Sequence, residues 1–314
     1  MQPISRLEQE SRLDRLVAAG QRAARLIRPG RLRDTLHGVW LGHPLHPVLV
    51  QAPAGAWLSA AILDLTRGDE QASRHLAAAG LIASAPAALA GAADWSEQHE
   101  QQMRVGIVHA AGNVVALGLY GASLVPRDPR LSRALRFAGL AAVSVSGLLG
   151  GHISFRLAGG ANHAEQVPHL VKPGWQYLMA AADLPEGKPV RQMLGEVPVV
   201  AIRANGTIYV LADRCSHMSG PLSDGELADG CLTCPWHGSV FRIADGSVAR
   251  GPATAPQPAF EAREADGAIQ VCLPLIREPL RLRPAGPPAR TLVRQLTRMW
   301  WFDSACPVIR RRRR

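Results

Sequence analysis

Cys215-Ser216-His217 is followed, after sixteen residues, by Cys234-Pro235-Trp236-His237, so two short loops each offer one thiolate and one imidazole. Structural zinc sites more often group Cys with Cys and His with His, as C-x₂₋₄-C…H-x₃₋₅-H. A Cys-x-His loop opposed to a Cys-x-x-His loop suits a cluster of two unlike irons, two thiolates on one and two imidazoles on the other. Zinc remains the alternative at this point.

These residues, with Gly238 and Ser239 after them and Gly251-Pro252 further on, resemble the Rieske [2Fe–2S] domain of bacterial ferredoxin type, over about residues 175–273. The resemblance implies Cys215, His217, Cys234 and His237 as ligands. Ser239, Trp236, Gly251 and Pro252 would surround the cluster, the last two on a proline-bearing loop that covers it. High-potential members carry an extra disulfide at positions that correspond to Gly220, or a neighbour, and Trp236, so that disulfide is not expected. They also carry a Tyr hydroxyl where Phe241 stands. Hydrogen bonds to the sulfurs stabilise the reduced cluster, so losing one lowers the potential. The lower half of the Rieske range is expected.

The chain has 314 residues and a formal net charge of +10. Residues 1–170 are rich in Ala, Leu and Gly, whereas residues 175–275 carry Asx-Gly turns, which points to two domains. Of the five cysteines, 231, 272 and 306 show no evident pairing, as in a reducing compartment. Cys231 and Cys234 form a C-x-x-C pair, a weaker zinc or dithiol reading because Cys234 is needed for iron. The first 36 residues contain no apolar run of signal-peptide length and no twin-Arg pair before one. A cytoplasmic Rieske domain is therefore expected. Residues 1–36 read instead as a basic amphipathic helix, lying on an anionic membrane or packed on its own protein.

Four apolar stretches follow, roughly 48–65, 75–95, 105–125 and 135–155, each long enough to cross a bilayer and none with a polar stripe at helical period. Frequent Gly and Ala suit close helix packing in lipid. The run Leu41-Gly42-His43-Pro44-Leu45-His46-Pro47, with Trp57 and Asp64, resembles the start of an uncharacterised bacterial membrane family, domain of unknown function 2231, over about residues 36–160. That resemblance implies four spans and no known activity.

With four spans, His43, His46, Asp94, His99, His109 and His152 share one face with both termini, and Asp64 lies on the other. Ionisable groups near spans favour function. The sharp reading is a second redox site at His43, His46, His109 and His152, a haem held by two histidines or a quinone pocket. The bland one is helix capping. The Arg-rich start favours a cytoplasmic N-terminus, but the third loop, with Arg127, Arg130 and Arg133, would then face outward.

Residues 159–174 read as a linker. Asn205-Gly206, Asp245-Gly246 and Asp266-Gly267 each separate two strand-like runs, as in tight hairpins. Residues 276–314 read as a basic, Pro- and Arg-rich tail, with Trp300, Trp301, Phe302 and Arg310–Arg314 suited to lipid contact or to solvent. No nucleic-acid-binding fold accompanies its arginines, so no nucleic-acid partner is expected.

The expected architecture is an amphipathic helix (1–36), an α-helical four-span membrane bundle (37–158), a linker (159–174), an all-β Rieske (ISP-like) domain (175–275) and the tail. The expected function is a multi-pass protein of the cell's inner membrane that carries single electrons between a redox partner protein and another partner or a membrane site. The alternatives are a membrane-anchored iron–sulfur sensor, or a ferredoxin component of an oxygenase or reductase system. A self-contained oxygenase needs two more histidines and a carboxylate, and no His follows His237.

Overall fold

A computed structural model describes residues 2–66 and 68–274, so the expectations for 276–314, Cys306 included, lie outside the described residues. The described residues divide into two compact units, one up to Asn162 with Arg250–Ala255, the other His163–Ala249 with the described residues from Pro256 on.

The first unit is helical. α1 (Gln2–Glu8), α2 (Asp14–Ala24), α3 (Arg31–His37) and α4 (His46–Leu49) precede four long helices: α5 (Gln51–Leu65), α6 (Glu70–Trp95), α7 (Glu100–Ser123) and α8 (Pro129–Gly151). Running with their short flanks over His46–Leu65, Glu70–Trp95, Glu100–Ser123 and Pro129–Arg156, these are four helices long and apolar enough to cross a membrane. Asp69 and Asp128 cap α6 and α8, each accepting a backbone N–H two residues on.

The residue distribution suits lipid. Buried positions are small or aromatic: Ala60, Ala77, Ala90, Ala116, Trp57 and Tyr120. Large aliphatics, among them Ile62, Ile82, Val114, Val145 and Leu148, are exposed. In water such a surface is costly, at about 25 cal/mol per Å² of apolar area; in lipid it is the expected one, because small residues let helices approach. Trp57 and Tyr120 stack with ring centroids 4.4 Å apart. Gly80 makes room for the indole and Gly139 for the phenol, where an added Cβ would lie 2.9 Å from the ring.

The N-terminal segment folds onto its own bundle. Val17 and Ala24 of α2 are buried, Gly20 lies against Trp95, and Arg104 of α7 donates to both carboxylate oxygens of Asp14. Leu16, Leu26 and Leu32 stay exposed.

At the loop end between α7 and α8, Arg136 is 2 % exposed and donates to Asp64 through two bonds of 2.7 Å and to Glu70 through bonds of 3.0 and 2.8 Å. Arg133 lies 3.8 Å from Asp64. Such a desolvated group is tolerable only when paired and bonded this completely.

The second unit is all-β apart from short turns and α9 (Val167–Leu170). One antiparallel sheet has the order β1 (Gln176–Ala180), β10 (Ala268–Cys272), β9 (Ala259–Ala265), β4 (Thr207–Ala212), β3 (Val197–Ala204), β2 (Val190–Leu194). Val199, Ala201, Val210, Ile269 and Val271 build its core with Leu178 and Leu184. A smaller sheet orders β5 (Glu226–Ala228), β6 (Cys231–Thr233), β7 (Val240–Arg242) and β8 (Val248–Arg250).

Asn205-Gly206 and Asp266-Gly267 form the expected two-residue hairpins with positive φ at both positions. Asp245-Gly246 does not: only Gly246 has positive φ, and the loop closes through Arg242 N–H to Ser247 O while the Asp245 carboxylate accepts Ser247 N–H. A further hairpin of the first kind, Asp229-Gly230 between β5 and β6, escaped the sequence reading because its strands have only three residues each.

Candidate metal centre

The two motif loops hang from the small sheet and its neighbours, and their backbones close alike. Cys215 N–H donates to Gly220 O and Ser219 N–H to Cys215 O, both at 2.8 Å. Cys234 N–H donates to Ser239 O at 2.8 Å and Gly238 N–H to Cys234 O at 3.1 Å. The residue four after each Cys, Ser219 or Gly238, has positive φ, which Gly adopts freely. In each loop the N–H groups two and three residues after the Cys turn back to its sulfur: His217 and Met218 onto Cys215, Trp236 and His237 onto Cys234. Such donors stabilise thiolate and metal-bound sulfur.

The four ligand candidates form two pairs, thiol with thiol and imidazole with imidazole. The Cys215 and Cys234 sulfurs are within hydrogen-bond reach of each other, and both residues are 1 % exposed. The His217 and His237 rings meet edge to face, centroids 5.0 Å apart, both half-buried, with Nδ1 of His217 inside. As free thiols the two sulfurs share a proton: that bond raises Cys215 well above its ordinary pKa and lowers Cys234 to about 7.

The donor set fits a [2Fe–2S] cluster. Among the described residues no three His, Cys, Asp or Glu side chains converge as one metal ion would require. A two-iron cluster asks for two protein ligands per iron, the arrangement of this thiol pair and imidazole pair. A four-coordinate zinc asks for more at one point.

Of the surrounding residues, Ser239 is fully buried and Trp236 is 51 % exposed, its ring 6.4 Å from that of His237. Gly251 and Pro252 belong to the segment grouped with the helical unit, where Gly251 N–H donates to Asp34 at 3.0 Å. Gly220 and Trp236 are neighbours, an added Cβ at Gly220 lying 3.0 Å from the indole. Sequence reasoning missed Gln257. Its side chain is buried, accepts Ser216 N–H at 3.0 Å and donates to Ala212 O and Arg214 O, which pins the first loop to β4. No spacing rule marks a lone Gln forty residues from its loop.

Cys231 corrects one expectation. It is disulfide-bonded, so it is neither unpaired nor half of a dithiol with Cys234. Cys272 is free.

In the helical unit the histidines separate. His152 bonds Glu8 at 2.8 Å, and His43 bonds Pro44 O at 3.1 Å on the surface. His46 and His109 lie close enough to interact electrostatically. His46 Nδ1–H donates to Ala87 O at 2.8 Å and His109 Nδ1–H to Ser146 O at 2.7 Å, which leaves each Nε2 with a lone pair. Asn113 donates to that of His109 at 3.1 Å. Gly91 and Gly150 seat the two rings against helix backbone. His37, overlooked in the sequence, is buried, donates to Asp94 at 2.8 Å and accepts from Arg33 at 3.4 Å. A haem would need two open Nε2 atoms on opposite faces of a porphyrin. The Asn113 bond and the glycine-seated rings do not fit that, and suit hydrogen bonding to a small polar group.

Two family models match the chain: Rieske [2Fe-2S] domain over residues 174–261 and Predicted membrane protein (DUF2231) over residues 42–163. The anthranilate 1,2-dioxygenase ferredoxin subunit of Burkholderia cepacia is 31 % identical over 97 residues, 31 % of this chain and 90 % of that protein. Ferredoxin CarAc of Metapseudomonas resinovorans is 32 % identical over 98 residues, 31 % of this chain and 92 % of that protein. Among solved structures, a complex of reduced oxygenase and oxidized ferredoxin in carbazole 1,9a-dioxygenase matches at 31 % identity and TM-score 0.30, over 31 % of this chain and 92 % of that one.

Proposed function

This chain belongs to the Rieske [2Fe–2S] family, and on that premise we propose that it is a membrane-bound electron carrier, passing single electrons between a soluble redox protein and a membrane partner or site. The observation that carries the reading is the asymmetry of the centre: both sulfurs are buried while both imidazoles are half-exposed. Cys215 and Cys234 would hold the inner iron and His217 and His237 the outer one, with the half-exposed imidazoles turned toward a partner protein. The cluster, when bound, supplies one-electron transfer. The chain's backbone N–H groups hold the sulfurs, and Gln257 holds the first loop. The full-length ferredoxin relatives favour carrier over sensor.

The membrane site is the finer part of the reading. His46, whose Nδ1–H is taken by Ala87 O, would offer its Nε2 to a hydroquinone hydroxyl, with the Asn113–His109 pair close by, whereas the arrangement does not favour a haem. We place the chain in the inner membrane with its N-terminus and Rieske domain on the cytoplasmic side. Support comes from the exposed Arg15 and Arg22 of α2, while Arg133 and Arg136 of the opposite loop end face Asp64 and Glu70; Arg127 of that loop counts the other way.

The test is a redox titration of detergent-solubilised protein. Reversible one-electron reduction below about +200 mV supports a ferredoxin-like carrier, and a midpoint above that value overturns the low-potential assignment. Reduction by a short-chain hydroquinone in wild type but not in H46A/H109A would support the membrane site.

A further inference from the structure

A cavity of about 370 Å³ opens where α6 begins and α7 turns into α8. Glu70, Arg74, Arg127 and Ser132 line it, with Val125 and Pro126. Its charge is one-sided. Glu70 accepts from Arg136 with both oxygens, and Asp64 balances the Arg133 beside it. Asp69 and Asp128 are turned onto the first N–H groups of their helices. Arg74 donates to the carbonyls of Leu124 and Pro126, so its guanidinium is held in place but not neutralised. Neither Arg74 nor Arg127 has a carboxylate partner among the described residues. The 26- and 23-residue helices that start at the rim add partial positive charge.

We propose that this cavity binds the phosphodiester of an anionic phospholipid, with Arg127 and the anchored Arg74 as its cationic partners. The shared chemistry is a phosphate oxyanion. The lipid source is favoured because the site sits at the ends of membrane-length helices and its rim carries Val125, 81 % exposed, with Leu131 close by in the chain and also exposed. Acyl chains cover such residues, whereas free phosphate leaves them in water. The inference rests on the reading of α5–α8 as spans.

Native mass spectrometry of the full-length protein in mild detergent tests it, with phosphatidylglycerol, phosphatidylcholine and inorganic phosphate as probes. Phosphatidylglycerol should be retained over phosphatidylcholine, and R127Q should weaken its retention about fivefold, the factor expected of one arginine near an anionic surface. Arg127 is exposed and unpartnered, so R127Q should fold normally. R74Q serves as the second variant. Equal retention of both lipids, or no change in R127Q, overturns the site. Displacement of phosphatidylglycerol by millimolar phosphate overturns the lipid assignment. Release of the protein from native membranes by carbonate would instead refute the spans themselves.

Discussion

Gly220→Ala probes the centre with a single methyl group. Gly220 does not have positive φ, so alanine suits its backbone. The new Cβ would lie 2.9 Å from Cys234 Sγ and 3.0 Å from the Trp236 ring. Comfortable contacts run to about 3.5–4.0 Å, so the two neighbours must retreat by roughly 0.5–1.1 Å. The half-exposed indole can swing outward. Cys234 cannot, being buried and fixed by its own N–H bond to Ser239 O and by two N–H groups on its sulfur. Metal–ligand distances tolerate about 0.2 Å. The overpacking strain, about 1–3 kcal/mol, should therefore fall on the metal-bound state and weaken cluster retention about 5–150-fold. Iron per chain and visible absorbance after purification report the loss, and far-UV circular dichroism reports the β fold, which should persist. A G220A protein with full iron content and an unchanged spectrum would refute the placement of Cys234 Sγ as a ligand beside Gly220.

His237→Cys should retain a cluster but move its midpoint toward the all-cysteine value near about −400 mV, read by redox titration; an unmoved midpoint would mean that His237 is not a ligand. Asp64→Asn should destabilise the helical unit by about 1.5–3 kcal/mol in detergent, because buried Arg136 loses one of its two bonds to residue 64 and the carboxylate charge behind the other while keeping Glu70; an unchanged melting temperature contradicts the ion-pair account. Burial raises the pKa of Asp34 above its ordinary 3.8, against a smaller lowering by the Gly251 N–H. The folded state therefore holds this proton to higher pH than the unfolded chain, so the stability linked to Asp34 is full below pH 3.8 and is lost as pH rises through the folded pKa. Asp34→Asn should flatten that decline in thermal-melt series from pH 4 upward, and a decline equal to wild type would refute it.

The motif loops were legible because metal ligation demands particular residue types at short spacing, and both loops repeat one closure around a Cys. The spans were legible because a helix facing lipid needs no polar stripe. The large sheet announced itself through Asn205-Gly206 and Asp266-Gly267. What stayed hidden depends on contacts between residues far apart in sequence. Gln257 reaches back to Ser216, His37 meets Asp94, and Glu8 takes His152 away from the other histidines. Arg136 looked like an ordinary charge at a span's edge until Asp64 and Glu70 closed on it. The disulfide at Cys231 carries no spacing signature at all.

Low-temperature EPR of the dithionite-reduced, detergent-solubilised full chain, with iron and zinc determined on the same sample, tests the central claim most directly. One [2Fe–2S] cluster per chain, with an average g below that of an all-cysteine cluster, is the expected result for Cys215, Cys234, His217 and His237 as ligands. An EPR-silent sample with stoichiometric zinc would contradict the electron-transfer account.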